Sequence, residues 1–361
     1  MVKKKKIAFI IPSLEAGGAE RVAVTLAHMF IDQNEVFLFV LNKTKITFTI
    51  DSRIQIQFLK ETYIPSKNWL IALKSNFIYL KKIIKTVKQN HIDILIGFTT
   101  TGNILAILSS FFHKSNSYIS ERNNPQVYQL SYLRKICIRI LYPFTKTLIV
   151  QTSFSKNHFQ HILKAHKIQV IPNPLDKNLI SRREEYGKRE NVILNVGRLD
   201  ANKNQKLLLE AFANLNTKNW RLIFVGEGDL KIEYQILAKN LGIANKVNFI
   251  ETVPNIEKYY NGAKLFIFTS ESEGFPNALL EAMSFGIPCI ASDCNSGPSE
   301  IIQHNENGFL FEVNNQKQLE KQIMELMENE VLRLKFSKNA IQSTLKYNSD
   351  EIYKKWESIM I

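Results

Sequence analysis

The sequence predicts an α/β protein made of two doubly wound domains facing across a cleft, and three observations carry that prediction. Short β-branched runs alternate with amphipathic stretches of helical period along the whole chain, the pattern of parallel sheets with crossover helices. The alternation breaks at Ile171-Pro172-Asn173-Pro174-Leu175-Asp176, where two prolines flanking an asparagine block both helix and central strand. At 361 residues, 45% hydrophobic and 22% charged, the chain is long enough for two apolar cores and is not of the disordered or collagen-like class.

The elements follow in order. In the first half, strands are expected near 6–12, 35–41, 54–59, 92–98, 117–121 and 147–151, each a short apolar run such as Ile7-Ala8-Phe9-Ile10-Ile11. Helices are expected over 19–32, 68–89, 101–112, 130–141 and 153–163. After the charged stretch 182–190 the alternation restarts. Strands are expected near 191–196, 221–225, 246–250, 264–269, 287–291 and 309–312. Helices are expected near 204–215, 229–241, 255–261, 276–285, 298–303 and 315–328, and two more, about 330–345 and 349–360, close the chain. The domains are therefore drawn as 1–172 and 173–345, with 346–361 a terminal helix that packs back on the N-terminal domain.

Charge is unevenly spread. The whole chain carries +14, yet residues 1–180 hold 25 Lys and Arg against nine Asp and Glu, leaving 22 basic and 24 acidic residues beyond them. Such asymmetry points to an anionic partner for the first half alone, a membrane, a nucleic acid or a phosphorylated substrate, unless it reflects only a lysine-rich genome. Three cysteines, Cys137, Cys289 and Cys294, without any CxxC spacing argue against a disulfide scaffold or a zinc knuckle and fit a reducing cytoplasm. The apolar run after the basic stub Met1–Lys6 is too short for a signal-peptide core, and no 18-residue apolar stretch exists to span a bilayer. Ile104 to Phe112 comes nearest, and reads as a buried helix.

Ligands of doubly wound sheets bind outside the carboxyl ends of the strands, so the loops after strands carry the candidate chemistry. Gly17-Gly18, between the first strand and its helix, forms either a simple turn or a loop whose N–H groups approach a phosphate. Arg198 and Lys203 lie in Val196-Gly197-Arg198-Leu199-Asp200-Ala201-Asn202-Lys203, also between strand and helix, where cations are electrostatically disfavoured unless they serve an anion. Together they can take up the charge of a departing diphosphate without a metal. Glu271-Ser272-Glu273-Gly274-Phe275-Pro276-Asn277-Ala278-Leu279-Leu280-Glu281 follows an apolar strand, with Pro276 suited to the first helical turn. Gly274, Asn277 or Ala278, and Glu281 then share one helical face, while Leu279 and Met283 point into a core. Glu273 sits just before the helix, and eight residues of helix span about 12 Å, beyond the roughly 5 Å of a retaining glycosidase pair. Glu273 and Glu281 suit two ends of an extended ligand.

This run resembles the ExxxxxxxE motif of family 4 retaining glycosyltransferases of the GT-B type. Gly197-Arg198-Leu199 with Lys203, Gly17-Gly18-Ala19-Glu20-Arg21 and Ser296-Gly297-Pro298-Ser299-Glu300 match the family in the same order, over nearly the whole chain. The resemblance implies two Rossmann-like domains, the N-terminal one binding the acceptor and the C-terminal one the nucleotide sugar. It implies that Glu273 contacts donor-sugar hydroxyls, Glu281 the ribose, and Arg198 and Lys203 the diphosphate, helped by amides at Gly17 and Gly18. Amides at Phe275, Asn277 and Ala278 would fix sugar and phosphate beside Gly274. Gly226 and Glu227 would line the nucleotide pocket, and 251–254 the base. No protein nucleophile, metal or other cofactor is implied, and the chain contains no Asp-x-Asp.

Relatives place a His where this chain has Ser120-Glu121-Arg122-Asn123, a sequence similar to a subgroup that builds bacterial surface polysaccharides and lipid-linked glycans. Arg122 either binds the acceptor's diphosphate or pairs with Glu121. In the helix over 68–89, Leu70, Leu73, Phe77, Leu80, Ile84 and Val87 form the expected core stripe, and Lys67, Lys74, Lys81 and Lys88 recur every seven residues. That lysine row is a candidate surface for anionic lipid or a polyprenyl diphosphate, extended by Arg134, Lys135 and Arg139. The leading expectation is a cytoplasmic enzyme, peripheral on the inner face of the membrane. It would move a hexose or N-acetylhexosamine from a UDP-sugar to a lipid-linked or polysaccharide acceptor, as in capsule or O-antigen synthesis. The alternative is a nucleic-acid-binding protein using the basic half.

Overall fold

A computed structural model of the chain describes every residue except 1–3, 16, 62–68, 127–129, 185–188, 218 and 361. The chain divides into two compact units, residues 1–174 with 349–361, and residues 175–348. The crossings lie two and three residues beyond those expected from sequence. Leu175 donates its N–H to Tyr347 at 2.9 Å and bridges Asn348, which ties both crossing segments into the second unit.

The first unit runs β1 (Lys6–Ile11), α1 (Gly18–Phe30), β2 (Glu35–Val40), β3 (Gln55–Phe58), α2 (Trp69–Asn90), β4 (Ile94–Phe98), α3 (Thr99–Ser110), β5 (Asn116–Ser120), α4 (Tyr132–Leu141), β6 (Thr147–Val150), α5 (Ser153–Phe159) and β7 (Ile168–Val170). Its strands form one parallel sheet in the order β3-β2-β1-β4-β5-β6-β7. Every residue of β4 is buried, as expected of a parallel strand covered on both faces. The three-residue strand β7 is additional to those expected, being too short to stand out as an apolar run.

The second unit runs α6 (Lys177–Ile180), β8 (Glu190–Val196), α7 (Gln205–Asn214), β9 (Arg221–Val225), α8 (Lys231–Asn240), β10 (Val247–Ile250), α9 (Glu257–Gly262), β11 (Ala263–Phe268), α10 (Asn277–Ser284), β12 (Cys289–Ser292), α11 (Pro298–Ile301), β13 (Phe309–Phe311), α12 (Gln316–Glu328) and α13 (Glu330–Thr344). Its sheet is parallel, ordered β10-β9-β8-β11-β12-β13. The last helix, α14 (Ser349–Met360), belongs to the first unit, burying Trp356 in the core beside α1. Tyr118 holds it further by donating to the Ile359 carbonyl at 3.0 Å.

Two expectations about burial need correction. In α2 the buried row is Tyr79, Ile83 and Val87, packed with Phe37, Phe39 and Leu59, while Leu73 and Phe77 are more than half exposed. Both rows repeat at helical spacing, so periodicity cannot choose between them; the sheet does. Lys67 and the Leu70 side chain lie outside the described residues. At the end of α3, Phe111 and Phe112 are exposed although residues 105–107 are buried.

Candidate active site

In the second sheet the chain leaves β8 toward β9 and β10 on one side and later returns to β11 on the other. The loops after β8 and β11 therefore flank the topological switch point, where open parallel sheets place their ligands. Three hydrogen bonds lash these loops together. Thr269 Oγ1 donates to the Lys203 carbonyl at 2.7 Å, Glu271 N–H to the Asn202 carbonyl at 2.8 Å, and Asn202 Nδ2 to the Ser272 carbonyl at 2.8 Å. Asp200 caps the turn by accepting the Lys203 N–H at 3.0 Å.

The lashing brings Lys203 Nζ to 2.5 Å from Glu273 Oε1 and 5.2 Å from the centre of the Phe268 ring. Arg198 is different. Its side chain is 80% exposed and touches Asp200 at 3.3 Å, a solvated contact that leaves the guanidinium able to swing.

The loop after β9 joins the same place. Gly226 has φ +148°, and a Cβ there would stand 2.1 Å from the Gly197 carbonyl oxygen, so only glycine lets the two strand ends approach. Glu227 accepts the Leu199 N–H on its carbonyl at 2.9 Å and the Thr252 N–H on its carboxylate at 3.3 Å.

Helix α10 begins at Asn277 with Pro276 as its cap, so Gly274 and Phe275 lie in the preceding loop and not on the helical face expected for Gly274. The Phe275 ring is buried, 6.1 Å from Tyr347, and the Phe275 carbonyl accepts the Asn277 N–H at 3.0 Å. That amide, expected to serve a ligand, is thus engaged within the loop. Ala278 stands half-buried in the first turn, whose cap contributes no side-chain bond. Leu279, Leu280, Ala282 and Met283 anchor the helix in the core. Glu281 is buried too, its Oε2 accepting from the Tyr260 hydroxyl at 3.0 Å. Gly297 abuts Pro276, with φ +104° and room for no Cβ (2.4 Å to Pro276 Cδ), and Ser296 Oγ donates to the Gly274 carbonyl at 3.4 Å.

Cys294 and Tyr260 escaped sequence reasoning. Burial, then the charge of Glu273, pushes the Cys294 thiol up to about 12, which keeps it protonated beside the Lys203–Glu273 pair. Neither residue carries a motif; only the fold brings them here. Among the described residues, no three His, Cys, Asp or Glu side chains are grouped so as to hold a metal ion.

The remaining candidates belong to the first unit. Gly17 caps α1 and Gly18 begins it, but the Glu20 carboxylate folds back over Gly17, 2.1 Å from where a Cβ would be, and burial raises its pKa. Glu121 is buried, with Tyr142, Asn103 and Thr100 all donating to Oε1, and burial raises its pKa as well. It lines a cavity of about 740 Å³ with Thr100, Leu130, Ile136, Arg139 and Phe159. Arg122 does not pair with Glu121; it donates to Asn173 Oδ1 and stacks on Phe98. Lys74 and Lys81 stand exposed on α2, Lys81 Nζ lying 4.6 Å from the centre of the exposed Phe77 ring.

Comparison with known proteins decides what this arrangement is. The model of glycosyl transferases group 1 matches residues 176–343, and that of glycosyltransferase family 4 matches residues 16–179. A Campylobacter jejuni N-acetylgalactosamine-N,N'-diacetylbacillosaminyl-diphospho-undecaprenol 4-alpha-N-acetylgalactosaminyltransferase is 31% identical, over 93% of this chain and 94% of its own. The chain belongs to glycosyltransferase family 4. A second Campylobacter jejuni relative of this glycosyltransferase is 29% identical over 97% of both chains. Its name is GalNAc-alpha-(1->4)-GalNAc-alpha-(1->3)-diNAcBac-PP-undecaprenol alpha-1,4-N-acetyl-D-galactosaminyltransferase. Among solved structures, Anabaena HepE in complex with UDP matches with a TM-score of 0.82 at 19% identity, over 98% of this chain and 99% of its own. At that identity it shows the fold of the glycosyltransferase, which is of the GT-B kind. The nucleic-acid reading of the basic half finds no support in these relatives.

Proposed function

We propose that this glycosyltransferase moves a hexose or N-acetylhexosamine from a UDP-sugar, with retention and without a metal, onto a saccharide carried by a polyprenyl diphosphate in bacterial glycan synthesis. The observation that carries the reading is the match over more than nine-tenths of the chain to enzymes named for undecaprenyl-diphosphate-linked acceptors.

The chemistry follows from the residues. Departure of UDP develops negative charge on a phosphate oxygen, and Arg198 and Lys203 take up that charge. Glu273 holds the Lys203 ammonium and offers its carboxylate to donor-sugar hydroxyls. Glu281, oriented by Tyr260, accepts from the ribose. Gly226 and Glu227 border the nucleotide, and the first turn of α10, where Asn277 and Ala278 lie, meets sugar and phosphate together with Gly274 and Phe275 of the loop before it. In the first unit, Glu121 and Arg122 are the candidates for meeting the acceptor.

Membrane association on the cytoplasmic face completes the reading. Exposed Ile71, Leu73 and Phe77 accompany Lys74 and Lys81 on α2, and exposed Tyr132, Leu133 and Ile140 accompany Arg134 and Arg139 on α4. Apolar side chains mixed with cations suit an anionic bilayer surface. No helix among the described residues is long and apolar enough to cross a membrane.

UDP release is measured with a panel of UDP-sugars and a polyprenyl-diphosphate saccharide extract. Turnover with at least one donor, retained in excess EDTA, is expected. No turnover with any donor, together with no UDP binding by calorimetry, overturns the reading.

A further inference from the structure

Among the described residues, the buried Arg122 of the first unit has no counter-charge. Arg122 is 9% exposed, and its Nε and Nη2 are buried without any hydrogen-bond partner. Its neighbour in sequence, Glu121, cannot neutralise it, because successive residues at a strand end point to opposite sides and the Glu121 carboxyl is held by Tyr142, Asn103 and Thr100. The guanidinium is nevertheless fixed. Nη1 donates to Asn173 Oδ1, and Cζ lies 4.8 Å from the centre of the Phe98 ring.

The corner that is anchored and the edge that is open are distinct. Nη1 is the nitrogen remote from Nε–H, so anchoring it leaves the Nε–Nη2 edge, whose parallel N–H pair matches two oxygens of one anion. A third open donor lies alongside. Gln151 is 2% exposed and its Nε2 is buried without a partner. Ser120 pairs with Ile149, and Glu121 N–H donates to the Ile149 carbonyl at 3.2 Å, so continuing that register sets Arg122 opposite Gln151. Adjacent strands run about 5 Å apart. Phe98 thus ends β4, and Arg122, Gln151 and Asn173 follow the carboxyl ends of β5, β6 and β7, its successive neighbours in the sheet. Thr99, immediately after Phe98, has φ +62°, a left-handed conformation that strains a β-branched residue and clusters at ligand sites.

An unpaired buried cation and three unpaired buried donors are costly in a protein without a ligand, and a structural arginine would have found a carboxylate. We propose that the Nε–Nη2 edge of Arg122, with Gln151 Nε2, is a preformed seat for a phosphate-type oxyanion of a substrate. This rests on the reading above in one respect, that both substrates carry diphosphates. The phosphate belongs to the acceptor's lipid diphosphate or to the donor's nucleoside diphosphate, and the test separates the two.

Wild type, Arg122→Met, Arg122→Lys and Gln151→Met are titrated with UDP alone, and with inorganic pyrophosphate and farnesyl diphosphate in saturating UDP, by calorimetry. Circular dichroism checks that each variant is folded. Arg122→Met is expected to weaken one of these ligands at least tenfold, Arg122→Lys to restore only part of the loss because it lacks the fork, and Gln151→Met to weaken the same ligand severalfold. A loss confined to farnesyl diphosphate and pyrophosphate assigns the acceptor's phosphate; a loss of UDP affinity assigns the donor's. Either supports the seat. Binding of all three ligands within twofold of wild type by folded Arg122→Met and Gln151→Met overturns it. So does a loss with Arg122→Met that Arg122→Lys restores in full, since a bare charge then suffices. No turnover enters these measurements. If UDP itself fails to bind wild type, the pyrophosphate comparison is made without it and still tests the seat.

Discussion

The Lys203 ammonium lies 2.5 Å from the Glu273 carboxylate, with the two side chains 19% and 10% exposed. The cation expected to wait for a diphosphate is thus already paired: Lys203 holds Glu273, and in the proposed function it also meets the substrate. Lys203→Ala is expected to lower turnover roughly 10²–10³-fold. It is also expected to destabilise the fold by about 3 kcal/mol, because Glu273 is left buried and unpaired. The double variant Lys203→Met, Glu273→Met should regain most of that stability in urea melts while staying inactive. Activity within twofold of wild type in Lys203→Ala would remove the proposed role.

Gly226→Ala adds a methyl group 2.1 Å from the Gly197 carbonyl oxygen at φ +148°. The loops after β8 and β9 have to separate, so a loss of about 3 kcal/mol or more is expected, with UDP affinity falling alongside it. Gly242→Ala is the control. Its φ is +72° but nothing lies within 4 Å of the added Cβ, so backbone strain alone, about 1 kcal/mol, is expected. Equal melting temperatures for the two variants would contradict the close approach.

Tyr260→Phe removes the hydroxyl that donates to Glu281 at 3.0 Å while keeping the ring in the core against Phe285. Hydrogen bonds to charged groups contribute about 1.5–3 kcal/mol. A rise in the donor KM of roughly tenfold with kcat little changed is expected, since Tyr260 acts by orienting Glu281. A fall in kcat at unchanged KM would place it elsewhere in the mechanism.

Glu121 titrates above its ordinary value of 4.5 because it is buried. A carboxyl whose folded pKa is raised contributes stability that is full below the unfolded pKa and is lost as pH rises through the folded one. Glu121→Gln keeps an oxygen for Tyr142, Asn103 and Thr100 but has no proton to lose. Its melting temperature relative to wild type is expected to rise as pH increases above about 4.5. A difference that stays constant across that range would show that Glu121 is not held neutral.

Lys74→Glu with Lys81→Glu is expected to weaken co-sedimentation with anionic vesicles roughly tenfold or more, at about 1 kcal/mol per basic residue near the surface. Phe77→Asp should weaken it through the lost apolar contact. Wild-type binding that does not distinguish anionic from neutral vesicles would contradict the membrane face.

Much of the candidate site of the second unit was legible because its parts are local. Strand, glycine turn and helix start succeed one another within a dozen residues around Gly197–Lys203 and around Glu273–Glu281, and the switch-point rule says where such loops converge. What was not legible depended on residues distant in sequence. Tyr260, on α9 before β11, reaches Glu281, on α10 after it, through the core that both helices share, and Cys294 feels Glu273 because β11 and β12 are neighbours in the sheet. The core face of α2 agrees with the expected stripe at Val87 and Leu80 and departs from it at Leu73 and Phe77 for a related reason. Leu73–Phe77 and Tyr79–Ile83–Val87 fit one helical period equally, and packing against Phe37, Phe39 and Leu59 selected the second.

The sequence by itself determined the alternation of strands and helices, the break near Pro172-Asn173-Pro174, the placing of basic charge in the first half and the motifs that mark the family. These are properties of residues close along the chain, read by hydrophobic period, backbone restriction and charge. Tertiary structure alone decided that Lys203 is neutralised by Glu273, that Glu20 covers Gly17, and that Arg122 keeps an open edge while Glu121 turns to Tyr142. Whether a charge is paired, and whether a donor is satisfied, depends on which strand ends the sheet order brings side by side and how far each is withdrawn from water.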